Sequence, residues 1–490
     1  MRILAGLDLG TTGCRCALFD EQLNVLGEDY REYPLMTSEN GVAEQDAELW
    51  WALLSESLRG AARNCGRPLS DVAALGMSSQ GITVVPVDEE LSPLANAINW
   101  LDHRPGTGGE ELVDGRFTDI TARLSPEGYG IAKAMWFERH RPDVAARAWK
   151  YLMPLDFATA KLTGRAITDH SMAAGMACYD MRERRWSGHI LRAAGIPEAR
   201  LPEIRKSGEA AGFVTEEAAR ATGLSPETVV AVGAQDQKCG ALGAGIRDGI
   251  ATVSMGTCMA VTTRAERVVC DAERYLPCFS DLFGDGYWLE GCVNVGAGCL
   301  KWYRDLYYPE QPYSYVTGMA GRHNPTAESP MFFPHLSGMG TPFRWGNGSG
   351  AFYALTLNAT ADGMAHAVLE AVCLTLRQNL EAAEETAGAR VGTLRVFGGG
   401  AKSREWLQMA ADATGRQVES LFTHEAGCVG AAMLAGLAAG IFPDVEAARR
   451  AGVRVDKRFL PDPKRQLIYD RRYELYCQRE KRIYREAYLE

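Results

Sequence analysis

The sequence predicts an α/β protein made of two large domains built on one plan. Three observations predict it. Apolar β-type runs alternate with helical patterns along the chain, as layered strands and helices require. At 490 residues the chain exceeds what one ordinary hydrophobic core sustains. The pattern also restarts at half length. "GLDLGTTGCRCALF" and "ATVSMGTCMAVT" both turn on Gly-Thr between two strands, which suggests a duplicated domain. The boundary is expected near 246, giving an N-terminal domain over 1–246 and a C-terminal domain over 247–490.

In chain order, "RILAGLDLG", "CRCALFD" and "VLGEDYREY" read as a three-stranded antiparallel meander. "AELWWALLSESLRGAARNC" (47–65) has helical periodicity, with Asp46 as its N-cap. "VAALGMSSQG" is a strand ending in a polar turn, and the segment through "INWLDHR" adds strand and hairpin. Helices dominate from about 108 to 225. "VVAVGAQDQKCGALGAGI" gives a buried strand, a polar turn and a Gly/Ala-rich helix, and "GIATVSMGTCMAVTT" gives strand, Gly-Thr turn, strand. "LRVFGGGAKSREWLQMAADATG" (394–415) is an apolar strand, a triple-glycine turn and an amphipathic helix. "GCVGAAMLAGLAAGIF" (427–442) reads as a buried helix closed by Pro443, too short to span a bilayer. The tail 464–490 spaces Tyr469, Tyr473 and Tyr476 at helical intervals among alternating charges, as a surface helix packing its tyrosines does.

Composition excludes several functions. The chain is 46% hydrophobic and 23% charged with a net charge of −10, which argues against a nucleic-acid or anionic-membrane partner. Any anionic ligand is therefore held locally, by loops, helix ends or a metal. Arg2 and Asp8 bracket an apolar stretch too short for the core of an export signal. The 13 cysteines are odd in number and scattered, with no CxxC pair, against a zinc ribbon or disulfide framework. Reduced thiols in a cytoplasmic protein fit them, and Cys14 and Cys16 read as core or turn thiols. The eight histidines show no HExxH or similar spacing.

The chemistry concentrates at the polar turns. A carboxylate inside a buried strand is destabilising unless satisfied or used, and Asp8 stands in such a strand beside Gly10-Thr11-Thr12. Glycines allow close approach to phosphate oxygens, threonines donate to them, and Asp8 is suited to a hydrated Mg²⁺. For one such turn alone, a simple hairpin turn is the plainer account. Gly398-Gly399-Gly400-Ala401 closes a strand and opens a helix, an arrangement that can seat a base or an anion. Asp236 sits in a polar turn between an apolar strand and a small-residue helix. It is placed either to accept a proton from a hydroxyl nucleophile or simply to cap the helix. There is no GxxxxGK[ST], which excludes a P-loop, and no GxGxxG opening a βαβ unit at either terminus. The three glycine turns are expected to converge in a cleft between the domains.

Together these segments resemble the FGGY family of carbohydrate kinases over nearly the whole chain. "LDLGTTGCRCALFD" resembles the family's first phosphate turn, "GVAEQDAELWW" its acidic-Trp segment, and "MSSQG" and "INWLDHR" its sugar-side segments. "GAQDQKCGALGAG" is similar to its catalytic-Asp segment, "SMGTC" to its second phosphate loop and "FGGGAKSREWLQMAAD" to its adenosine segment. "FFPHLSGMGTPFRWGNGSGAFYALTL" resembles the xylulokinase-type pattern. The resemblance implies two ribonuclease H-like domains of the actin/Hsp70 type around a central cleft, and ATP-dependent phosphorylation of a sugar or polyol hydroxyl. Carried over by residue, it implies that Asp8 organises Mg²⁺, with Thr11, Thr12 and Arg15 near the ATP phosphates. Asp236 is the implied general base, with Gln237 a substrate contact beside it. Gly256 and Thr257 are implied at the phosphates from the second domain, and Gly399, Gly400 and Ala401 at adenosine. Gln80, Gly81, Trp100 and Asp102 lie at the implied sugar site.

The departures are on that side. Gln80-Gly81-Ile82 stands where xylulokinases carry Gln-Met-His and glycerol kinases place an Arg-Glu clamp. Trp100-Leu101-Asp102-His103-Arg104 replaces W-N-D-Q-R. In "GYGIAKAMWFERH", Lys133 and Trp136 keep the first family signature while Gly130 departs from it. The resemblance implies D-xylulose as first substrate, with ribulose, fuculose, erythritol or gluconate as alternatives, and possible homodimerisation as a family property. An actin/Hsp70-type nucleotide switch is the alternative from another class.

Overall fold

The computed structural model describes residues 2–104, 108–271, 274, 276–342, 349–423 and 425–484. The chain forms two compact units, and neither is one stretch of sequence. The first comprises Met1–Gly243, Cys278–Tyr287 and Ala426–Val453; the second comprises Ala244–Pro277, Trp288–Glu425 and Arg454–Glu490.

The first unit opens with the expected meander, β1 (Ile3–Leu9), β2 (Gly13–Phe19) and β3 (Val25–Glu32), each antiparallel to the next. Helix α1 (Ala47–Cys65) follows. The Asp46 carboxylate accepts from the Glu48 amide at its start, and Gly66 ends it at φ +70°. Strand β4 (Val72–Ser79) then pairs parallel with β1. The helical middle includes α2 (Gly130–His140) and α3 (His170–Ala174). Strands β5 (Ala210–Phe213), β6 (Val229–Ala231) and β7 (Ala234–Gln235) complete the sheet, and α4 (Asp236–Gly243) follows directly. The order is β5-β6-β4-β1-β2-β3, with β7 beside β4.

The boundary expected near 246 is not a single cut between the compact units. It lies just past the first unit's main segment, but the helix Ala426–Ala438 also belongs to that unit. Glycines explain why. A Cβ on Gly6 of β1 would stand 2.1 Å from the Cys428 carbonyl oxygen, and one on Gly76 of β4 2.0 Å from that of Ala431. On Gly243 and Gly430 it would meet the carbonyls of Ala426 and Cys239 at 2.0 Å. Backbone lies on backbone here, and only glycine leaves room for that approach.

The second unit repeats the plan. Strands β8 (Ile250–Met255) and β9 (Met259–Ala265) form a hairpin on the second Gly-Thr turn. Helices α5 (Gly298–Tyr307), α6 (Tyr313–Arg322) and the long buried α7 (Ala361–Ala387) follow. Then come β10 (Thr393–Phe397), α8 (Arg404–Thr414), β11 (Gln417–Leu421) and β12 (Val455–Phe459). The order β9-β8-β10-β11-β12 has antiparallel, parallel, parallel and antiparallel pairings, as β2-β1-β4-β6-β5 has in the first unit. This shared order is the ribonuclease H-like plan expected above, present twice.

The tail forms the helix Pro463–Ile483, and 485–490 lie outside the described residues. Tyr469 and Tyr476 are fully buried, and Tyr476 is within 3.2 Å of Thr375 on α7. Arg472 is fully buried in an ion pair with Glu370. The helix thus packs its tyrosine face into the core while Leu467 and Ile468 stay exposed, as a surface helix does. Of the xylulokinase-type segment, 343–348 lie outside the described residues.

Candidate active site

The parallel registers bring the two carboxylates to one sheet end. Asp8 lies opposite Ser78, Ala234 lies opposite Ser78 from the other side, and Gln235 lies opposite Ser79. Asp8 and Asp236 therefore leave the same ends of strands flanking β4. The Ser78 hydroxyl donates to Asp8 Oδ1 at 2.7 Å, and a Cβ on Gly427 would approach Asp8 Oδ2 to 3.2 Å.

The turn after β1 is fixed through its carbonyls. Gly10 N–H donates to Gly13 O at 2.9 Å, Gln45 Nε2 to Thr11 O at 2.6 Å, Tyr33 N–H to Thr12 O at 3.1 Å, and the Tyr33 hydroxyl to Gly10 O. Trp100 Nε1 donates to Thr11 Oγ1 at 2.8 Å. Thr12 is exposed. Arg15 sits opposite Asp8 in register, stacked 5.1 Å from the Tyr30 ring centroid.

The residues expected at the sugar divide into buried and exposed. Gln80 is 1% exposed, and its carboxamide bonds Gln45 at 2.9 Å and Asn99 at 3.1 Å. Asp102, 2% exposed, accepts from the Ala43 amide at 2.7 Å and from Arg104 Nε and Nη2 at 2.8 and 2.7 Å. Burial opposes its ionisation, but these donors hold it below the usual carboxylate range. Trp100 alone of the three is exposed. Gly81 adjoins Gln235, whose Cγ lies 3.1 Å from where a Gly81 Cβ would stand. Ile82 sits at φ +65°, strained for a β-branched residue. Its carbonyl accepts from Lys133 Nζ at 2.8 Å, and the same amine donates to Gly128 O at 2.9 Å. Burial pushes the Lys133 amine down to about 7.

Asp236 is the first residue of α4 and half-buried. Its Oδ1 accepts from the Gln237 amide at 2.6 Å and from Gln235 Nε2. Gln237 is also half-buried.

In the second unit, a cavity of about 540 Å³ joins four of the predicted residues, Gly256, Thr257, Gly399 and Gly400. Here too the turn is held by its carbonyls: Gly296 N–H donates to Thr257 O and Ala297 N–H to Gly256 O, both at 2.8 Å. Gly398 ends β10 at φ +88°, and Ser403 caps α8 by accepting from the Trp406 amide at 3.2 Å. Ala401 is buried in the hydrophobic core and does not line the cavity. Sequence reasoning missed Leu300 and Lys301 of α5 and Tyr313 of α6, which do line it. They lie on segments that carry no motif, and a helical period does not reveal which face meets a cavity.

Among the described residues no group of three or more His, Cys, Asp or Glu can hold a metal ion. Asp8 still suits Mg²⁺ arriving on a nucleotide, since that ion keeps several waters and needs only one or two protein carboxylates beside phosphate oxygens.

Comparison with known proteins gives consistent findings. The FGGY family of carbohydrate kinases, N-terminal domain, matches residues 3–243, and the C-terminal domain of the same family matches 251–439. The xylulose kinase of Lactococcus lactis is 28% identical over 483 residues, covering 98% of this chain and 96% of its own. The gluconokinase of Bacillus subtilis is 27% identical over 459 residues, covering 89% of this chain and 88% of its own. The crystal structure of a xyloylose kinase from Brucella ovis has a TM-score of 0.90 and 28% identity, covering 99% of each chain.

Proposed function

Since the chain belongs to the FGGY family of carbohydrate kinases and so is an ATP-dependent sugar kinase, we propose that D-xylulose is its acceptor and Asp236 its general base. The observation that carries the base assignment is the placement of Asp8 and Asp236 at neighbouring strand ends on either side of Ser78. In the proposed reaction, Asp236 takes the proton of the acceptor hydroxyl. The oxygen bonds to the γ-phosphorus as the bond to ADP breaks. Little covalent chemistry falls to the protein, so alignment and charge neutralisation dominate. Thr11 and Thr12 serve the phosphates from one turn and Gly256 and Thr257 from the other, with adenosine in the cavity bounded by Gly399 and Gly400. Mg²⁺ bound with ATP would be held by Asp8 and would neutralise phosphate charge.

Similarity to xylulose kinases over almost the whole chain supports D-xylulose. Gluconate is the second reading, supported by the gluconokinase relative and by the missing side chain at Gly81. Family membership sets aside the nucleotide switch. The 13 cysteines are scattered and form no CxxC pair, which suits the reducing, ATP-containing cytoplasm we propose as its location.

The test is ADP release with Mg·ATP across ketopentoses, aldoses, polyols and sugar acids, with Asp236→Ala run in parallel. D-Xylulose is expected to stimulate turnover, and the variant to lose roughly 10²–10⁴-fold. Stimulation by a sugar acid alone overturns the acceptor assignment, and stimulation that survives Asp236→Ala overturns the base.

A further inference from the structure

We propose that Gln235 is a positioning residue that aims the Asp236 carboxylate and, with Gly81, sets the space available to the acceptor. The inference rests on Asp236 being the base. Gln235 is anchored at every polar group involved. Its backbone N–H donates to Ser171 Oγ at 3.0 Å, and the Ser171 amide in turn donates to the buried Asp169 carboxylate at 2.8 Å. Its side-chain Nε2 donates to Asp236 Oδ1, and its Oε1 accepts from the Lys238 amide at 3.4 Å. The carboxamide thus brackets Asp236 between a donor on its carboxylate and an acceptor on the next turn of backbone. The Gln237 amide reaches the same Oδ1 at 2.6 Å, so two donors converge on one oxygen and fix the plane of the carboxylate.

The aliphatic part of Gln235 has a second role. A Cβ on Gly81 would meet Gln235 Cγ at 3.1 Å and nothing else closer than 3.9 Å. The space beside the Gln80–Ile82 loop is therefore occupied by Gln235 from across the sheet end. Positions 81 and 235 are coupled: a side chain at 81 requires the Gln235 side chain to give by a few tenths of an ångström.

A donor to an ionised carboxylate favours its charged form, so loss of the Gln235 donor is read in the pH dependence of kcat. Other charged or titratable groups around Asp236 are Lys238 and Cys239 on α4, Asp8 at the end of β1, and Asp169 with His170 behind Ser171.

The experiment measures kcat, acceptor KM and the pH dependence of kcat for Gln235→Leu, Gln235→Asn and Gln235→Ala. It uses D-xylulose, or the panel member the parent enzyme turns over. Gln235→Leu keeps the bulk and loses the donor, so kcat falls about tenfold and the acidic limb of the profile moves to higher pH, with acceptor KM within about twofold. Gln235→Asn, with a shorter carboxamide, lies between Leu and the parent in kcat. Gln235→Ala adds a several-fold change in acceptor KM, because the space beside Gly81 opens. Equal kcat and an unmoved acidic limb across Leu, Asn and the parent overturn the inference. Asp236→Ala separates the two layers. A dead Asp236→Ala beside a parental Gln235→Leu refutes only the role of Gln235, whereas an active Asp236→Ala refutes the base on which it rests.

Discussion

Asp8, Asp236 and the Gly-Thr turns are legible in sequence because each departs from what its surroundings favour: a carboxylate in a buried strand, or hydroxyl residues between two strands. Gln80 and Asp102 are polar too, yet both are spent on internal bonds, and only coordinates separate a polar residue that frames a site from one that faces it. Neighbouring glycines in the triple turn make the same point. A Cβ on Gly399 meets nothing within 4 Å, whereas one on Gly400 would stand 2.4 Å from the Met255 side chain. Gly399→Ala is therefore expected to fold normally and raise the KM for ATP several-fold, while Gly400→Ala loses about 1–3 kcal/mol of stability. Thermal unfolding and ATP kinetics together check both. Lys133 adds a pH dependence. Its amine titrates near 7 when folded and near the ordinary 10.5 when unfolded, so between those values the unfolded chain alone holds the proton. Stability from this group therefore rises through that window and is depressed below it. Thermal midpoints at pH 6.5 and 9 are expected to show the parent gaining relative to Lys133→Met as pH rises. Parallel shifts in the two proteins refute it.

At the element scale, strands and helices followed from periodicity and caps, as the β1–β3 meander and α1 behind Asp46 illustrate. The helix Ala426–Ala438 was equally legible as buried, but its partner was not. Gly and Ala permit close packing without naming the surface packed against. That surface is β1 and β4, met through Gly6 and Gly76 at backbone distance. Because the clash is with main-chain carbonyls, no rotamer change relieves it. Gly76→Ala is expected to cost about 3 kcal/mol or more, while Gly66→Ala, at a helix end with open space around it, costs less despite its positive φ. Comparing their denaturation midpoints decides the matter.

At the scale of the whole molecule, the duplication read from two Gly-Thr turns is present as one strand order occurring twice. The boundary is more entangled than a single cut, because 426–453 returns to the first unit. A fragment ending at 246 lacks the helix that covers β1 and β4 and is expected to aggregate. Joining 426–453 to it through a flexible linker is expected to restore solubility and cooperative unfolding. A soluble, cooperatively folding 1–246 fragment refutes this.

The sequence by itself determined the α/β class, the duplicated hairpin, the family and the residue types at the two Gly-Thr turns. These rest on local periodicity, on backbone demands for glycine and on the electrostatic cost of a carboxylate in a strand. Tertiary structure alone decided that Asp8 and Asp236 share a sheet end, that Gln235 brackets Asp236, and that a helix from the C-terminal half packs on the first sheet. Those depend on strand register and close approach between residues far apart in the chain, where pairing geometry, and no local preference, selects the partner.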